Sequence, residues 1–238
     1  AISVFATLLG TVIGLVMALI KMARIPVLSQ VSAVIVSYLR GTAIREIPEY
    51  QGVGGDFDSD RVEPHSPGLS DRLWYGGGSL RSAEWAGSAG MNWLVSNISS
   101  YENGEENFAR GQRAQIDAYR AAHAAAHPAA DPADARVSVA RVFVPIDGAT
   151  AAQREKYAAY VEARTPRTKQ VHGGRMLIAQ DVSGTNDEIV DFIQNDVAYQ
   201  AADDYLFELP FEFELADWKH ILDQLAGEIG PRLGWQPK

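Results

Sequence analysis

Cysteine is absent from the 238 residues of this chain, which excludes disulfide bonds and thiolate metal sites. Clustered basic residues are lacking too, since 21 Lys and Arg stand against 30 Asp and Glu for a formal net charge of −9. Binding to phosphate backbones relies on clustered Lys and Arg, so the chain is not expected to contact nucleic acid. Hydrophobic residues make up 47% of the chain, enough to bury a core.

Acidic residues are missing from residues 1–45, which carry only basic charges, at Lys21, Arg24, Arg40 and Arg45. The opening run AISVFATLLGTVIGLVMALI has 20 residues and no charge. A helix of this length spans a bilayer core of about 30 Å, and Lys21 and Arg24 follow it as at the cytoplasmic end of a membrane span. The run predicts a membrane-type helix. A signal peptide fits less well because no basic region precedes the run.

The apolar run 25–39 is shorter and contains Pro26 and several polar residues, so it predicts an interfacial or partner-packed helix. The stretch LLGTVIGLVMALIKMARIPVLSQVSAVIVSYLRGT resembles the first helices of the permease subunit of amino-acid-type ABC importers, and the resemblance covers about residues 3–44. The resemblance implies an alternative function: an amino-acid transporter permease fragment fused to a non-catalytic soluble tail. We expect membrane contact through residues 1–39, anchoring in the bacterial inner membrane by residues 1–20, and a cytoplasmic location for residues 46–238.

Strand and helix patterns alternate from residue 46 onward. The predicted strands are RLWYGG, MNWLVSN, RVSVARVFVPI and DDYLFELPF, and the helices that follow them are SLRSAEWAGSAG, GEENFARGQRAQIDAYRAAHAAAH, TAAQREKYAAYVEAR and LADWKHILDQLAGEI. Strict alternation favours parallel pairing with right-handed crossovers. The sequence therefore predicts an α/β domain over residues 46–238, either a barrel or a doubly wound sheet, after a hydrophobic segment over residues 1–45.

A glycine-rich turn lies between the first predicted strand and its helix. Glycines allow close backbone approach, and the free N–H groups at a helix start favour an anion. Ser79 and Ser82 offer hydroxyl groups, and Arg81 offers a guanidinium. The pattern indicates a phosphate site formed by Gly76, Gly77, Gly78, Ser79, Arg81 and Ser82. The alternative is that Ser79 is only a helix cap and the glycines only make a tight turn.

Residues 46–238 resemble the luciferase-like flavin-dependent monooxygenases and reductases. The resemblance lies in FDSDRVEPHSPGLSDRLWYGGGSLRSAEWAGSAGMNWLVSN, SGTNDEIVDFI and DDYLFELPFEFELADWKHILDQLAGEIGPRLGW. It implies a (β/α)8 TIM barrel that binds reduced FMN, or a deazaflavin, and oxygenates a small-molecule substrate. It also assigns Gly77, Gly78, Ser79 and Ser82 to the cofactor phosphate. Candidates for the barrel mouth, at the strand ends, are Ser96, Asn97, Glu208 and Phe211, with Asn97 also a cofactor contact.

The histidines predict no metal site. His123 and His127 stand four residues apart on a helix, but no third ligand is nearby in the sequence. His172 lies in a Gly-containing loop, where it either lines a lid or decorates the surface. No nucleophile elbow or paired-carboxylate pattern is present, so the catalytic residues remain unassigned.

The four predicted strand and helix units match the second half of the resembled barrel, because a complete barrel has eight such units. We therefore expect a chimeric or truncated chain, with a partial barrel behind one or two hydrophobic helices. Exposed parallel edges favour self-association or a second chain that completes the barrel. Alone, such a chain is expected to be weakly active or inactive.

Overall fold

The longest strand of the sheet, β4 (Val137–Pro145), is buried at all nine positions. The computed structural model describes residues 69–236. In it, β1 (Trp74–Gly77) pairs with β2 (Asn92–Val95), and β2 pairs with the start of β4. Strand β7 (Asp204–Glu208) pairs with β4 over Ser138–Val142, and β6 (Val182–Gly184) pairs with its last three residues. All these pairings are parallel, so the carboxyl ends of the strands meet at one edge.

Helices connect the parallel strands. They are α1 (Leu80–Ser88), α2 (Phe108–Ala126), α3 (Ala151–Arg164), α4 (Asn186–Asn195) and α5 (Leu215–Gln224). A π-helical turn, Leu225–Ile229, and a last short helix, α6 (Gly230–Arg232), follow α5. A separate antiparallel pair, β3 (Ile98–Ser100) with β5 (Met176–Ile178), lies outside the parallel sheet.

Polar caps mark where the helices begin. Asn107 accepts a hydrogen bond from the Arg110 amide at the start of α2. Thr150 and Thr185 each form a capping box, the former with Gln153 and the latter with Glu188. Such caps satisfy amide groups that have no partner inside the helix, and each contributes about 1 kcal/mol.

A buried ion pair connects the sheet to the helices that pack on it. Arg141 of β4 donates to Asp196 at 3.2 Å and to Gln112 of α2 at 3.0 Å. Only 3% of the Arg141 side chain and 5% of the Asp196 side chain are exposed. The aromatic rings of Phe108, Phe192 and Tyr199 surround the guanidinium. This pair therefore ties β4 to α2 and to the end of α4.

The predicted alternation of strands and helices is confirmed from β1 to α5. The structure adds a fifth unit, β6 with α4, and the β3 and β5 pair, each of whose strands has only three residues. A parallel sheet with helices between successive strands is consistent with part of a (β/α)8 barrel. The predictions for residues 1–45, including the membrane-type helices and the domain boundary, lie outside the described residues. Within residues 69–236, no helix combines the length and apolar character needed to cross a membrane.

Candidate functional site

The carboxyl ends of β1, β2 and β7 surround a cavity of about 180 Å³. Its lining comprises Gly76, Gly77, Leu94, Ser96, Asn97, Ala140 and Glu208. Asn97 and Glu208 also line a neighbouring cavity of about 300 Å³, together with Phe211, whose side chain is 86% exposed. The four residues predicted at the mouth therefore lie at these two adjoining cavities. This is the edge where ligands bind in parallel α/β folds.

Asn97 and Glu208 are hydrogen-bonded although 111 residues separate them in sequence. The Asn97 amide Nδ2 donates to Glu208 Oε2 at 2.5 Å. Burial raises the pKa of Glu208 above its ordinary value, the nearby Asp181 raises it further, and Arg141 opposes the shift. A carboxyl group placed in this way retains its proton at a higher pH than an exposed glutamate. The pair thus places a carboxyl group with a raised pKa between the two cavities.

Asp181 is the second carboxylate of the larger cavity, and two arginines hold it. Arg164 Nε donates to Asp181 Oδ2 at 2.5 Å, and Arg167 Nη2 donates to the same oxygen at 3.2 Å. The two carboxyl groups therefore have different environments: Asp181 faces two cations, whereas Glu208 faces an amide.

The predicted anion site lies at the amino end of α1. Ser79 is the N-cap of this helix, and its Oγ accepts a hydrogen bond from the Ser82 amide. The Ser79 and Ser82 hydroxyl oxygens are also 3.0 Å apart and hydrogen-bonded. The alternative role of Ser79 as a helix cap is therefore present, and the two hydroxyls lie side by side and hydrogen-bond each other, while the phosphate site stays a prediction. Arg81 is exposed on the same turn.

A carboxylate already occupies the first amide of α1. The Leu80 N–H donates to Glu102 Oε2 at 2.9 Å, and Glu102 comes from the loop that follows β3. The amino end of a helix attracts negative charge because its free N–H groups and its dipole point outward. Glu102 therefore satisfies the first amide of α1 within the fold, and an external anion could use this amide only by displacing Glu102.

The three glycines of the turn differ in what surrounds them. A Cβ at Gly78 would lie 2.1 Å from the Ile98 carbonyl oxygen, and one at Gly77 would lie 2.7 Å from the Trp93 ring. At Gly76 a Cβ would meet nothing within 4 Å. Packing against β3 and Trp93 accounts for Gly78 and Gly77, which makes the tight-turn alternative sufficient at these two positions. Gly76 borders the smaller cavity, where open space adjoins the backbone.

The remaining sequence candidates have structural partners. Ser96 donates its amide to the Gly77 carbonyl and accepts from the Ile98 amide, so it fixes the end of β2. His127 contacts the Ser88 carbonyl at 3.1 Å, and His172 contacts the Arg167 carbonyl at 2.6 Å. Across residues 69–236, no three His, Asp or Glu side chains converge as metal ligands would. The contact with the Arg167 carbonyl places His172 in the turn between Arg167 and β5.

Four residues of the site were not predicted from the sequence: Glu102, Arg164, Arg167 and Asp181. A signal for the arginines exists, because residues 163–180 contain four basic and no acidic residues in an acidic chain. Glu102 gave no local signal, since its partner amide is 22 residues away.

No family model and no curated protein matches this chain. Among solved structures, the chain is similar to the crystal structure of apo-MsnO8, with 17% sequence identity and a TM-score of 0.49. The match covers 75% of this chain and 55% of that one, so the chain spans about half the length of that protein. A likeness at this level assigns neither a family nor an activity.

Proposed function

We propose that this chain is a flavin-dependent oxidoreductase of the luciferase-like class, which uses FMN or a deazaflavin to oxygenate a small molecule. The proposal rests on the sequence resemblance over residues 46–238 and on the strand-end cavities. The observation that carries it is the hydrogen bond between Asn97 and Glu208, because it joins two distant strand ends beside the predicted phosphate turn.

The residues at the start of α1 fit a flavin phosphate. Ser79 and Ser82 offer adjacent hydroxyls, and the Leu80 amide already binds the carboxylate of Glu102. A phosphate that displaced Glu102 would receive the same amide and the helix dipole, both of which favour an anion. When bound, the flavin would supply the electron-transfer and dioxygen chemistry of the reaction.

Glu208 is the candidate acid in this proposal, because its carboxyl group lies between the two cavities and burial raises its pKa. In its protonated form it would donate a hydrogen bond to a substrate oxygen in either cavity. Asn97 orients the carboxyl group from β2, and Gly76 leaves the backbone open toward the smaller cavity. Binding, orientation and proton donation are thus the tasks of the protein side chains.

Flavin binding tests the proposal directly. FMN and riboflavin, which lacks the phosphate, are titrated by flavin fluorescence against the full chain and against the variants Ser82→Ala and Ser88→Ala. Ser88 is the matched control, because it lies at the other end of α1 and its hydroxyl bonds only the Glu84 carbonyl. A hydrogen bond to a charged group contributes about 1.5–3 kcal/mol, so we expect Ser82→Ala to weaken FMN binding about tenfold or more.

Riboflavin affinity should be the same in all three proteins. An FMN affinity that equals the riboflavin affinity in the unmodified chain would refute the phosphate site. Equal loss in Ser82→Ala and Ser88→Ala would show that the effect comes from helix stability instead. With reduced flavin, dioxygen and a substrate panel, Glu208→Gln should lower the turnover of bound flavin without changing FMN affinity.

A further inference from the structure

The segment 163–180 forms a basic rim beside the larger cavity. It carries Arg164, Arg167, Lys169 and Arg175 and no acidic residue, in a chain whose formal net charge is −9. Arg164 and Arg167 line the cavity, while Lys169 and Arg175 are exposed. A local positive field of this kind draws small anions toward a cleft.

The two arginines that line the cavity carry more N–H donors than their contacts with Asp181 use. Asp181 accepts a hydrogen bond from Arg164 Nε and another from Arg167 Nη2. The Arg167 Nε atom is buried and has no hydrogen-bond partner within the described part of the chain. A buried donor without a partner costs about 1–3 kcal/mol, and a guanidinium carries more N–H groups than one such contact uses. Arg167 therefore pairs with Asp181 through a single nitrogen, and its buried Nε would reach an oxyanion in the cavity once the guanidinium turns toward it.

The charge balance of the cavity agrees with an anionic ligand. Its charged lining comprises two arginines and two carboxyl groups, those of Asp181 and Glu208. Both arginines contact Asp181, whereas Glu208 is hydrogen-bonded to Asn97, so a carboxylate ligand would give the second arginine a counter-charge of its own. A guanidinium matches the two oxygens of a carboxylate in its planar geometry. The apolar residues Val142, Ile178 and Phe211 provide a surface for the rest of the ligand.

We propose that the cavity binds a small molecule with a carboxylate group, held by Arg167 and Arg164, with its apolar part toward Val142 and Ile178. That this molecule is the substrate rests on the proposed function, whereas carboxylate binding itself does not. The part of the ligand that would react then lies toward Asn97 and Glu208, which line the same cavity.

Calorimetric titration of the full chain with hexanoate and with hexanamide tests this proposal. The two probes share their chain and differ in charge, so we expect hexanoate to bind about tenfold more tightly, equivalent to about 1.4 kcal/mol. Arg167→Gln should abolish the preference. Arg113→Gln is the matched control, because Arg113 is an exposed arginine of α2 paired with Asp117. Its preference for hexanoate should be unchanged.

Equal binding of the two probes by the unmodified chain, or an unchanged preference in Arg167→Gln, would overturn the proposal. If Arg167→Gln does not fold by circular dichroism, Arg167→Lys replaces it, and its preference for hexanoate must fall because lysine lacks the Nε donor. FMN titration of the same proteins separates the two proposals. Hexanoate preference without FMN binding refutes only the flavin function, and FMN binding without hexanoate preference refutes only the carboxylate site.

Discussion

Glu102 competes with any phosphate for the start of α1, so the variant Glu102→Gln should bind FMN more tightly than the unmodified chain. In the structure, Glu102 Oε2 accepts from the Leu80 amide at 2.9 Å. A phosphate can use this amide only after that hydrogen bond breaks. Glutamine has nearly the same shape and retains an acceptor oxygen, but it carries no charge.

The magnitude follows from two terms. A hydrogen bond to a charged group contributes about 1.5–3 kcal/mol and one between neutral groups about 0.5–1.5 kcal/mol, so the substitution lowers the cost of displacement by about 1 kcal/mol. It also removes repulsion between the carboxylate and a phosphate, about 1 kcal/mol per charge pair at 4 Å in water. Glu102 is half-buried, and solvent screens part of this repulsion. We therefore expect FMN affinity to rise about tenfold.

Fluorescence titration with FMN, riboflavin and inorganic phosphate as competitor measures the effect. Glu106→Gln is the control, because this exposed glutamate lies in the same loop. FMN affinity should rise only in Glu102→Gln, riboflavin affinity should stay constant, and the gain should shrink at high ionic strength. Unchanged or weaker FMN binding in Glu102→Gln would refute the competition. An equal gain for riboflavin would show that the substitution acts away from the phosphate.

Three further predictions concern the fold and the site. Gly78→Ala should lower the thermal midpoint because its Cβ meets a β3 carbonyl oxygen, whereas Gly76→Ala should leave it unchanged; similar midpoints in calorimetry would contradict this. Arg141→Met should cost about 3–5 kcal/mol of unfolding free energy in urea by leaving Asp196 unpaired, and a cost below about 1 kcal/mol would show that the pair is not needed. Burial raises the pKa of Glu208, so its contribution to stability is present below its ordinary value of 4.5 and is lost as pH rises through the higher folded value; Glu208→Gln should remove this decline from a urea series across pH.

The parts of the fold that were predictable are those with long patterns. Strand β4 has nine residues and helix α2 has 19, so their valine-rich and amphipathic periods are unmistakable. Strands β3, β5 and β6 have three residues each, too few to show alternation. Helix α4 was missed although Thr185 and Glu188 form a capping box, which is a sequence signature of a helix start. This capping box is the sequence signal for the fifth strand and helix unit, β6 with α4.

The site was predictable as a set of strand ends but not as a set of contacts. Asn97 follows β2 and Glu208 is the last residue of β7, and parallel topology places such strand ends together. Their hydrogen bond depends on β2 and β7 flanking β4, an order that no local pattern states. Glu102 and Arg167 were missed for the same reason: each acts on a group that the tertiary fold, rather than the helical or strand period, brings near.

The position of β4 has a consequence for synthesis on the ribosome. The amide of the β4 residue Val137 donates to Asp203, which lies 66 residues further along the chain, and Arg141 pairs with Asp196, which lies 55 residues further along. At about 5–20 residues per second, the nascent chain carries an unpaired edge of β4 for roughly 3–13 s. During that interval the valine-rich strand is open to chaperones and to other nascent chains. Slower translation through residues 146–203 therefore lengthens the interval during which this edge of β4 is unpaired.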